Sequence, residues 1–283
     1  MNAGPRRTRA TFWLLEAPDS LAEQSRRNPD GYGLGTFEED GSPDIEKRPA
    51  AAYEDELFAR EAREEESRTF VAHVRYASTG GLSVENTHPF EQEGRIFAHN
   101  GYVGGLYDLE ARLGDIRDLV QGQTDSDRFF TLITREIRSA GGDVGAGIAA
   151  AARWAAEEPP YSINLVLATE TDLWALRYPE TNPLLVLDRA VGGPTGSRHL
   201  DAASAAGTVR VRSGMLADRA ALIFASEEMD EDAGWRSLEP GELLHVGPDL
   251  DLRSEIVLAE PPEQPLRLED LDPRAAASQR DGD

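Results

Sequence analysis

Cysteine is absent from all 283 residues of the sequence. This absence excludes disulfide bonds and thiolate metal sites, and it removes a common enzymatic nucleophile. Lysine is nearly absent too, since Lys47 is the single lysine among 29 basic residues. With 52 acidic residues the formal net charge is −23, which disfavours nucleic acid and anionic membranes as partners. The sequence therefore describes a strongly acidic protein.

Long apolar runs are also missing. No stretch approaches the roughly 20 apolar residues of a membrane-spanning helix. The basic residues 1–10 are not followed by the apolar core of a signal peptide, so we expect a cytoplasmic protein. The apolar content of 40% is nevertheless sufficient for a sizeable core.

The periodicity of apolar residues predicts strands that form hairpins and clusters, and helices in two separate regions of the sequence. Pro18 marks a break in the first helix. This pattern favours an α+β fold with antiparallel sheets and helices packed outside. Residues 1–260 are predicted to form one domain, and the proline-rich, charged residues 261–283 an acidic, disordered tail. Helices are predicted at 11–27, 53–67, 124–139 and 144–157, and strands at 32–37, 45–47, 69–76, 95–100, 163–168, 173–178, 184–187, 221–225, 243–246 and 252–258.

Four short motifs follow one another along the first half of the chain. They read HVRYASTG at 73–80, NTHPF at 86–90, HNG at 99–101 and TDS at 124–126. In this order and at these spacings they resemble the class II, or N-terminal nucleophile, glutamine amidotransferases. The resemblance is to the small stand-alone branch of amidotransferase-like amidohydrolases. It is strongest over residues 14–127 and extends to about residue 257, where Ser226, Glu227 and Trp235 are later landmarks.

The resemblance implies a four-layer α/β/β/α sandwich of the N-terminal nucleophile hydrolase type. It also implies that Arg75 and Ser78 hold the carboxylate of a bound amino acid, while Asp125 holds its ammonium group. A guanidinium suits the first role because its planar fork matches a carboxylate. Without the surrounding motifs, the expected role of Arg75 would be an ion pair with a carboxylate at the edge of the core. Asp125 could equally be a helix N-cap, and Asp127 is its weaker substitute.

Asn100 and Gly101 are the candidate oxyanion hole. A side-chain amide and a glycine N–H are two donors that can stabilise a tetrahedral oxyanion. The alternative is a simple hairpin turn, because Asn-Gly is a common turn sequence.

Histidines offer a different interpretation. His73, His88 and His99 could form a hydrolytic metal site together with Asp30. Their spacings match no familiar ligand motif, so we predict neither a metal nor a cofactor. The glycine-rich residues 28–33 resemble the turn after the first helix of the family. They precede a strand rather than a helix, which argues against a phosphate-binding loop.

The departure from the family pattern lies at the first residues. Members of the family begin with Met-Cys and a short apolar strand, and the free cysteine supplies both the thiol and an α-amine. Neither feature occurs in residues 1–10, so the first strand is expected to be missing. Loss of the catalytic end from this version of the sequence explains the joint absence better than substitution in a dead relative does. A replacement nucleophile at Thr8 or Thr11, exposed by cleavage, is a third alternative.

The resulting hypothesis is an amidohydrolase that cleaves the side-chain amide of glutamine or a γ-glutamyl compound. The thiol required is absent from this chain, which should be inactive as written. The alternative is a catalytically inactive ligand-binding or regulatory relative that uses the same pocket. A further possible partner is a synthetase that accepts the released ammonia, and the motifs do not determine whether one is used.

Overall fold

The computed structural model describes residues 1–77, 80–157, 160–189, 200–203, 210–213, 220–271 and 273–278. Within these ranges six α-helices accompany one short π-helix and four 3-10 helices. The π-helix spans Phe12–Glu16, and the α-helices are α1 Leu21–Gln24, α2 Glu56–Glu64, α3 Leu106–Leu113, α4 Asp125–Ser139, α5 Val144–Glu157 and α6 Pro273–Ser278. The 3-10 helices are Ala52–Glu54, Val84–Asn86, Gly114–Leu119 and Leu268–Asp270.

The strands of the described ranges pair antiparallel throughout. They are β1 Gly31–Phe37, β2 Pro43–Arg48, β3 Val71–Arg75, β4 Phe90–Gln92, β5 Arg95–Tyr102, β6 Ser162–Ala168, β7 Leu173–Leu176, β8 Leu185–Arg189, β9 Leu200–Ala203, β10 Arg210–Ser213, β11 Ala221–Ala225, β12 Arg236–Ser237, β13 Glu242–Val246 and β14 Leu252–Ile256.

One sheet has six strands in the order β14-β13-β7-β6-β5-β4. Helices α3, α4 and α5 cover its outer face, where Phe97 and Leu165 of the sheet meet Phe129 and Ile148 of the helices in one buried cluster. Helix α4 forms at this place because Thr124 caps its first turn and its apolar residues recur at helical spacing.

Two three-stranded sheets, β2-β1-β3 and β11-β8-β12, lie on the other side of the central core. The backbone of Asn2 joins them. It forms one bridge to Thr69, just before β3, and another to Leu222 in β11. The Asn2 N–H donates to the Leu222 carbonyl at 2.8 Å, and the Leu222 N–H donates back at 2.9 Å. The first residues therefore fill the gap between these two sheets without forming a full strand.

Four hydrophobic clusters of the described residues hold the layers together, and one of them lies between the π-helix and strands β8 and β11. The first lies between the six-stranded sheet and its helices. The second lies between the sheets, where Ile96 and Ala175 meet Val71 and Leu222. The third lies under the π-helix, α1 and α2, where Phe58 packs near Tyr32 and Leu34. The mixed α and β composition and the expected four-layer α/β/β/α sandwich are confirmed.

Most predicted elements are present with small shifts at their ends. The break at Pro18 is confirmed, because the π-helix ends at Glu16 and α1 begins at Leu21. The helix predicted at 53–67 stops at Glu64, where the backbone turns extended at Glu65. Helices α3 and α6 and the short strands β4, β9, β10 and β12 were not predicted from the sequence.

The described part of residues 261–283 contains a 3-10 helix and α6, and the Leu266 N–H donates to the Pro160 carbonyl at 3.1 Å. The division into residues 1–260 and a tail stays a prediction. Among the described residues, no helix combines the length and the apolarity that a bilayer span requires.

Candidate active site

A cavity of about 530 Å³ opens where β3, β5, β6 and β11 come together. Its lining includes three of the charged or polar residues singled out from the sequence, Arg75, Asn100 and Asp125, together with Gly101. Residues separated by as much as 50 positions in the sequence are thus gathered around one space.

Arg75 ends β3 and is only 4% exposed. Its Nη1 donates to the Gly81 carbonyl at 3.2 Å. Burial lowers the pKa of the guanidinium, while the negative charges of Asp30 and Asp125 act against that shift. Because a guanidinium remains protonated in proteins, Arg75 presents a positive charge at the wall of the cavity.

The turn before β1 holds the end of β3 in place. Asp30 donates its backbone N–H to the Arg75 carbonyl at 2.9 Å, and its carboxylate accepts from the Ala77 N–H at 2.9 Å. Asp30, considered above as a metal ligand, is thus hydrogen-bonded to the backbone around Arg75. Ser78, the other expected carboxylate ligand, lies outside the described residues.

Asn100 and Gly101 lie inside β5 and not in a turn. They pair with Asn164 and Ile163 of the neighbouring strand β6. Gly101 has a φ of 155°. A Cβ atom at this position would lie 1.9 Å from the Ser162 carbonyl oxygen. The hairpin-turn alternative is therefore wrong, and the glycine is required by the close approach of β6.

Asp125 is the first residue of α4, and its side chain is buried. One carboxylate oxygen accepts from the Val103 N–H at 2.9 Å. The capping role falls to Thr124, whose hydroxyl accepts from the Asp127 N–H. The Asp127 carboxylate accepts from the backbone amides of Gln121 and Gly122, so it shapes the preceding loop. Asp125, and not Asp127, lines the cavity.

Three histidines lie beside these groups. The rings of His73 and His88 are 4.3 Å apart, and His99 Nδ1 lies 3.0 Å from the Ser126 hydroxyl. Burial lowers the pKa of His73 to about 4 and that of His88 well below its usual range. Burial also lowers the pKa of His99, against the charge of Asp125. At neutral pH these imidazoles are therefore uncharged. Among the described residues, the structure groups no three His, Asp or Glu side chains that could hold a metal ion.

Met1 reaches the same cavity. Its α-amine donates to the Phe70 carbonyl at 2.8 Å, and burial lowers the pKa of this amine to about 5. The amine is therefore neutral at pH 7 and has a free electron pair. This placement could not be predicted from the sequence, because it depends on the bridges that Asn2 makes to Thr69 and to Leu222 of β11.

Two further residues that the sequence analysis left without a role contribute to the site. Asn86 links two loops, because its amide donates to the Gly81 carbonyl at 3.1 Å and accepts from the Gln123 N–H at 2.7 Å. Ser226 lies after β11, where its hydroxyl accepts from Asn100 Nδ2 at 3.1 Å. Both occur in segments that the sequence analysis quoted, yet their contacts depend on the tertiary fold.

A buried cation, a buried carboxylate and an amide donor thus surround one cavity, and this combination can bind a zwitterionic amino acid. The model of the family described as class II glutamine amidotransferases matches residues 19–258, which is most of the sequence. The chain belongs to the class II glutamine amidotransferases.

Individual relatives match shorter parts of the sequence. An uncharacterized protein of Methanocaldococcus jannaschii is 36% identical over 125 residues, which are 42% of this chain and 34% of that protein. The probable glutamine amidotransferase DUG3 of Saccharomyces cerevisiae is 31% identical over 139 residues, which are 44% of this chain and 39% of the yeast protein. The chain thus matches little more than a third of the length of these relatives.

Solved structures share the fold. A glutamine aminotransferase class-II domain protein from Silicibacter pomeroyi has a TM-score of 0.57 at 18% identity, covering 80% of this chain and 90% of that protein. The glutamine phosphoribosylpyrophosphate amidotransferase of B. subtilis has a TM-score of 0.58 at 17% identity, covering 91% of this chain and 48% of the other. At such identities the likeness concerns the fold alone.

Proposed function

We propose that the cavity binds glutamine or a γ-glutamyl compound, and that the reaction for which this site is built is hydrolysis of the side-chain amide. The observation that carries the proposal is the placement of Arg75, Asp125 and the Asn100-Gly101 pair around one cavity. Arg75 would bind the α-carboxylate, Asp125 the α-ammonium, and Asn100 with Gly101 the oxygen of the amide under attack. Ser78 is proposed as a second carboxylate ligand.

The charges support an amino-acid substrate. Arg75 and Asp125 are both nearly inaccessible to solvent, so each gains from a ligand group of opposite charge. The cavity volume of about 530 Å³ falls in the usual range for small-molecule sites. It leaves room for a substituent on the amide nitrogen, which supports a γ-glutamyl amide beside glutamine itself.

The chemistry requires a thiol that this chain lacks. A cysteine thiolate would attack the amide carbon, and the resulting tetrahedral oxyanion would accept hydrogen bonds from the Asn100 amide and the Gly101 N–H. Collapse would expel ammonia, or an amine, and leave a thioester that water hydrolyses to glutamate. A neutral α-amine on the same residue would accept the thiol proton. The proposed reaction needs no cofactor.

The position of Met1 makes this proposal testable. We would compare the chain with Met1→Cys, expressed behind an extra initiator methionine that an aminopeptidase removes. A cysteine there would present both its thiol and a neutral amine to the cavity. We expect release of ammonia and glutamate from glutamine by Met1→Cys, none by the unaltered chain, and none by a matched Met1→Ala variant. Glutamine binding by the unaltered chain, measured by calorimetry, should be lost in Arg75→Ala.

The second candidate function is a non-catalytic binding or regulatory protein that uses the same pocket. The observation that favours it is the complete lack of cysteine. Glutamine binding by the unaltered chain without turnover by Met1→Cys would select this alternative. Absence of both binding and turnover would contradict both candidate functions.

The partners of the site are likewise proposals. The net charge of −23 disfavours nucleic acid or an anionic membrane as a partner, and a small-molecule substrate is proposed instead, with the cytoplasm as the proposed location. A synthetase that accepts ammonia is a further partner, and it would be tested by whether an acceptor enzyme is aminated with glutamine as the nitrogen source. Free ammonium salts replacing glutamine equally well would argue against a direct transfer.

A further inference from the structure

A hydrogen bond connects Asn100 to a residue 126 positions further along the chain. Asn100 Nδ2 donates to the hydroxyl oxygen of Ser226 at 3.1 Å. Ser226 directly follows β11, and both residues line the cavity. The amide proposed to stabilise the oxyanion is therefore held by a residue from the opposite sheet.

The backbone of Asn100 is already fixed by the six-stranded sheet. It pairs with Asn164, and its carbonyl accepts from the Ser162 hydroxyl at 3.1 Å. The remaining freedom of Asn100 is rotation of its side chain. An asparagine amide carries two hydrogens on its nitrogen, so one can bind Ser226 while the other is directed at a ligand.

We propose that Ser226 is a positioning residue that holds the Asn100 amide in the orientation needed to receive the side-chain oxygen of the substrate, an inference that rests on the proposed function. Ser226 acts through Asn100. Pre-orientation of this donor matters because an oxyanion hole stabilises the transition state only when its donors need no reorganisation.

A charged contact fixes the residue next to Ser226. The Glu227 carboxylate lies 2.7 Å from Arg27 Nη2, and the same nitrogen lies 3.1 Å from the Asp19 carboxylate. Arg27 precedes β1, so this contact ties the loop after β11 to the segment that follows α1. The side chains are partly exposed, and salt should therefore weaken the contact.

The decisive experiment compares Ser226→Ala with the unaltered side chain, both in the chain as it is and in the Met1→Cys background. L-glutamine and L-norvaline serve as ligands, because they share the amino-acid end and differ in the side-chain amide. We expect Ser226→Ala to weaken glutamine binding about 5-fold, the value of one modest hydrogen bond, and to leave norvaline binding unchanged. In the Met1→Cys background, kcat should fall about 10-fold, less than the 10²–10³ expected for losing the Asn100 donor itself. KM for glutamine should rise by no more than the roughly 5-fold loss of binding.

Three matched variants separate positioning from a general structural effect. Ser226→Thr keeps the hydroxyl and should restore glutamine binding and kcat. Ser237→Ala removes a hydroxyl of the same sheet, on the exposed strand β12, and should have no effect. In an Asn100→Ala background, Ser226→Ala should cause no further loss, because the group that it orients is gone.

The side-chain amide resonances of Asn100, followed by NMR, provide a readout that does not depend on activity. They should shift in Ser226→Ala and return in Ser226→Thr. Glutamine binding and turnover that are unchanged in Ser226→Ala would overturn the positioning role alone. Failure of the unaltered chain to bind glutamine, together with an inactive Met1→Cys, would overturn the proposed function and this inference with it.

Discussion

The carboxylate of Asp30 accepts a hydrogen bond from the Ala77 N–H, 2.9 Å away and 47 residues along the chain. Its own N–H donates to the Arg75 carbonyl at 2.9 Å. One residue of the turn before β1 thus fixes the backbone on both sides of Tyr76, and with it the direction of the Arg75 side chain.

Asp30→Ala should therefore weaken glutamine binding about 10-fold, because the Ala77 N–H loses its carboxylate acceptor and the backbone that follows Arg75 is no longer fixed. Asp30→Asn keeps an acceptor for the Ala77 N–H and should cost less. Calorimetric titration of both variants with glutamine checks the order. Equal affinities for the unaltered chain and Asp30→Ala would show that β3 holds Arg75 without this contact.

Gly101→Ala is expected to destabilise the fold by about 1–3 kcal/mol, because a methyl group there collides with the carbonyl of Ser162. Gly145→Ala is the matched control. It lies in α5, where the added Cβ would meet its nearest neighbour, the Asp143 carboxylate, at an ordinary 3.6 Å. This control should gain about 0.5–1 kcal/mol from the better helix former. Urea denaturation measures both, and a neutral Gly101→Ala would contradict the tight approach of β6.

Glu61 gives the stability a defined pH dependence. It is buried in α2, and burial raises the pKa of its carboxyl to about 7, with Glu46 adding to the rise. The folded chain thus binds a proton more tightly than the unfolded chain does. The contribution of Glu61 is fully present below its unfolded pKa of 4.5 and is lost as the pH rises through about 7.

Glu61→Gln should accordingly stabilise the protein by about 1–2 kcal/mol at alkaline pH and have little effect in acid. Thermal melts at about pH 5 and about pH 8 reveal the difference between the two conditions. Glu64→Gln, on the exposed side of the same helix, should show no such trend. A shift of equal size at both pH values would mean that the Glu61 carboxyl is not perturbed.

Lys47, the single lysine, supports the loop that carries His88. Its ammonium donates to the Thr87 carbonyl at 2.9 Å and to the Pro89 carbonyl at 3.2 Å. Lys47→Met should destabilise the chain by about 1–3 kcal/mol, since it removes the cation and leaves both carbonyls without this donor. The urea midpoint measures this loss. Lys47→Arg keeps a cation and should recover part of it, whereas an unchanged midpoint in Lys47→Met would show that water replaces the ammonium.

The sequence predicted α4 and α5 well, because capping and apolar spacing are local properties. It missed α3, whose preceding residue Gly105 makes no side-chain cap. The Asn100-Gly101 pair shows the limit of local rules, since a common turn sequence lies inside a strand. Its true setting depends on β6, more than 60 residues away.

The candidate site divides in the same way. Arg75, Asn100, Gly101 and Asp125 could be selected in advance because four ordered motifs carry them, and the structure places these four around one cavity. The contact between Asn100 and Ser226 could not be predicted from the sequence, because the two residues come from different sheets that meet only in the folded protein. The sequence shows which side chains are available, but which distant segments pair depends on the packing of the folded protein.

The two three-stranded sheets meet through Asn2, whose bridge to Leu222 spans most of the chain. A contact between residues so far apart in the chain should form late in folding, because the intervening chain must be ordered first. The junction rests on two isolated bridges and not on a continuous strand, so we expect it to open at a lower free energy than the paired strands on either side. The cavity lies across this junction of the two three-stranded sheets, with Arg75 of β3 on one side and Ile223 of β11 on the other. A ligand held between them would resist opening, so occupancy of the site and protection of the Asn2 and Leu222 amides from hydrogen exchange should rise together.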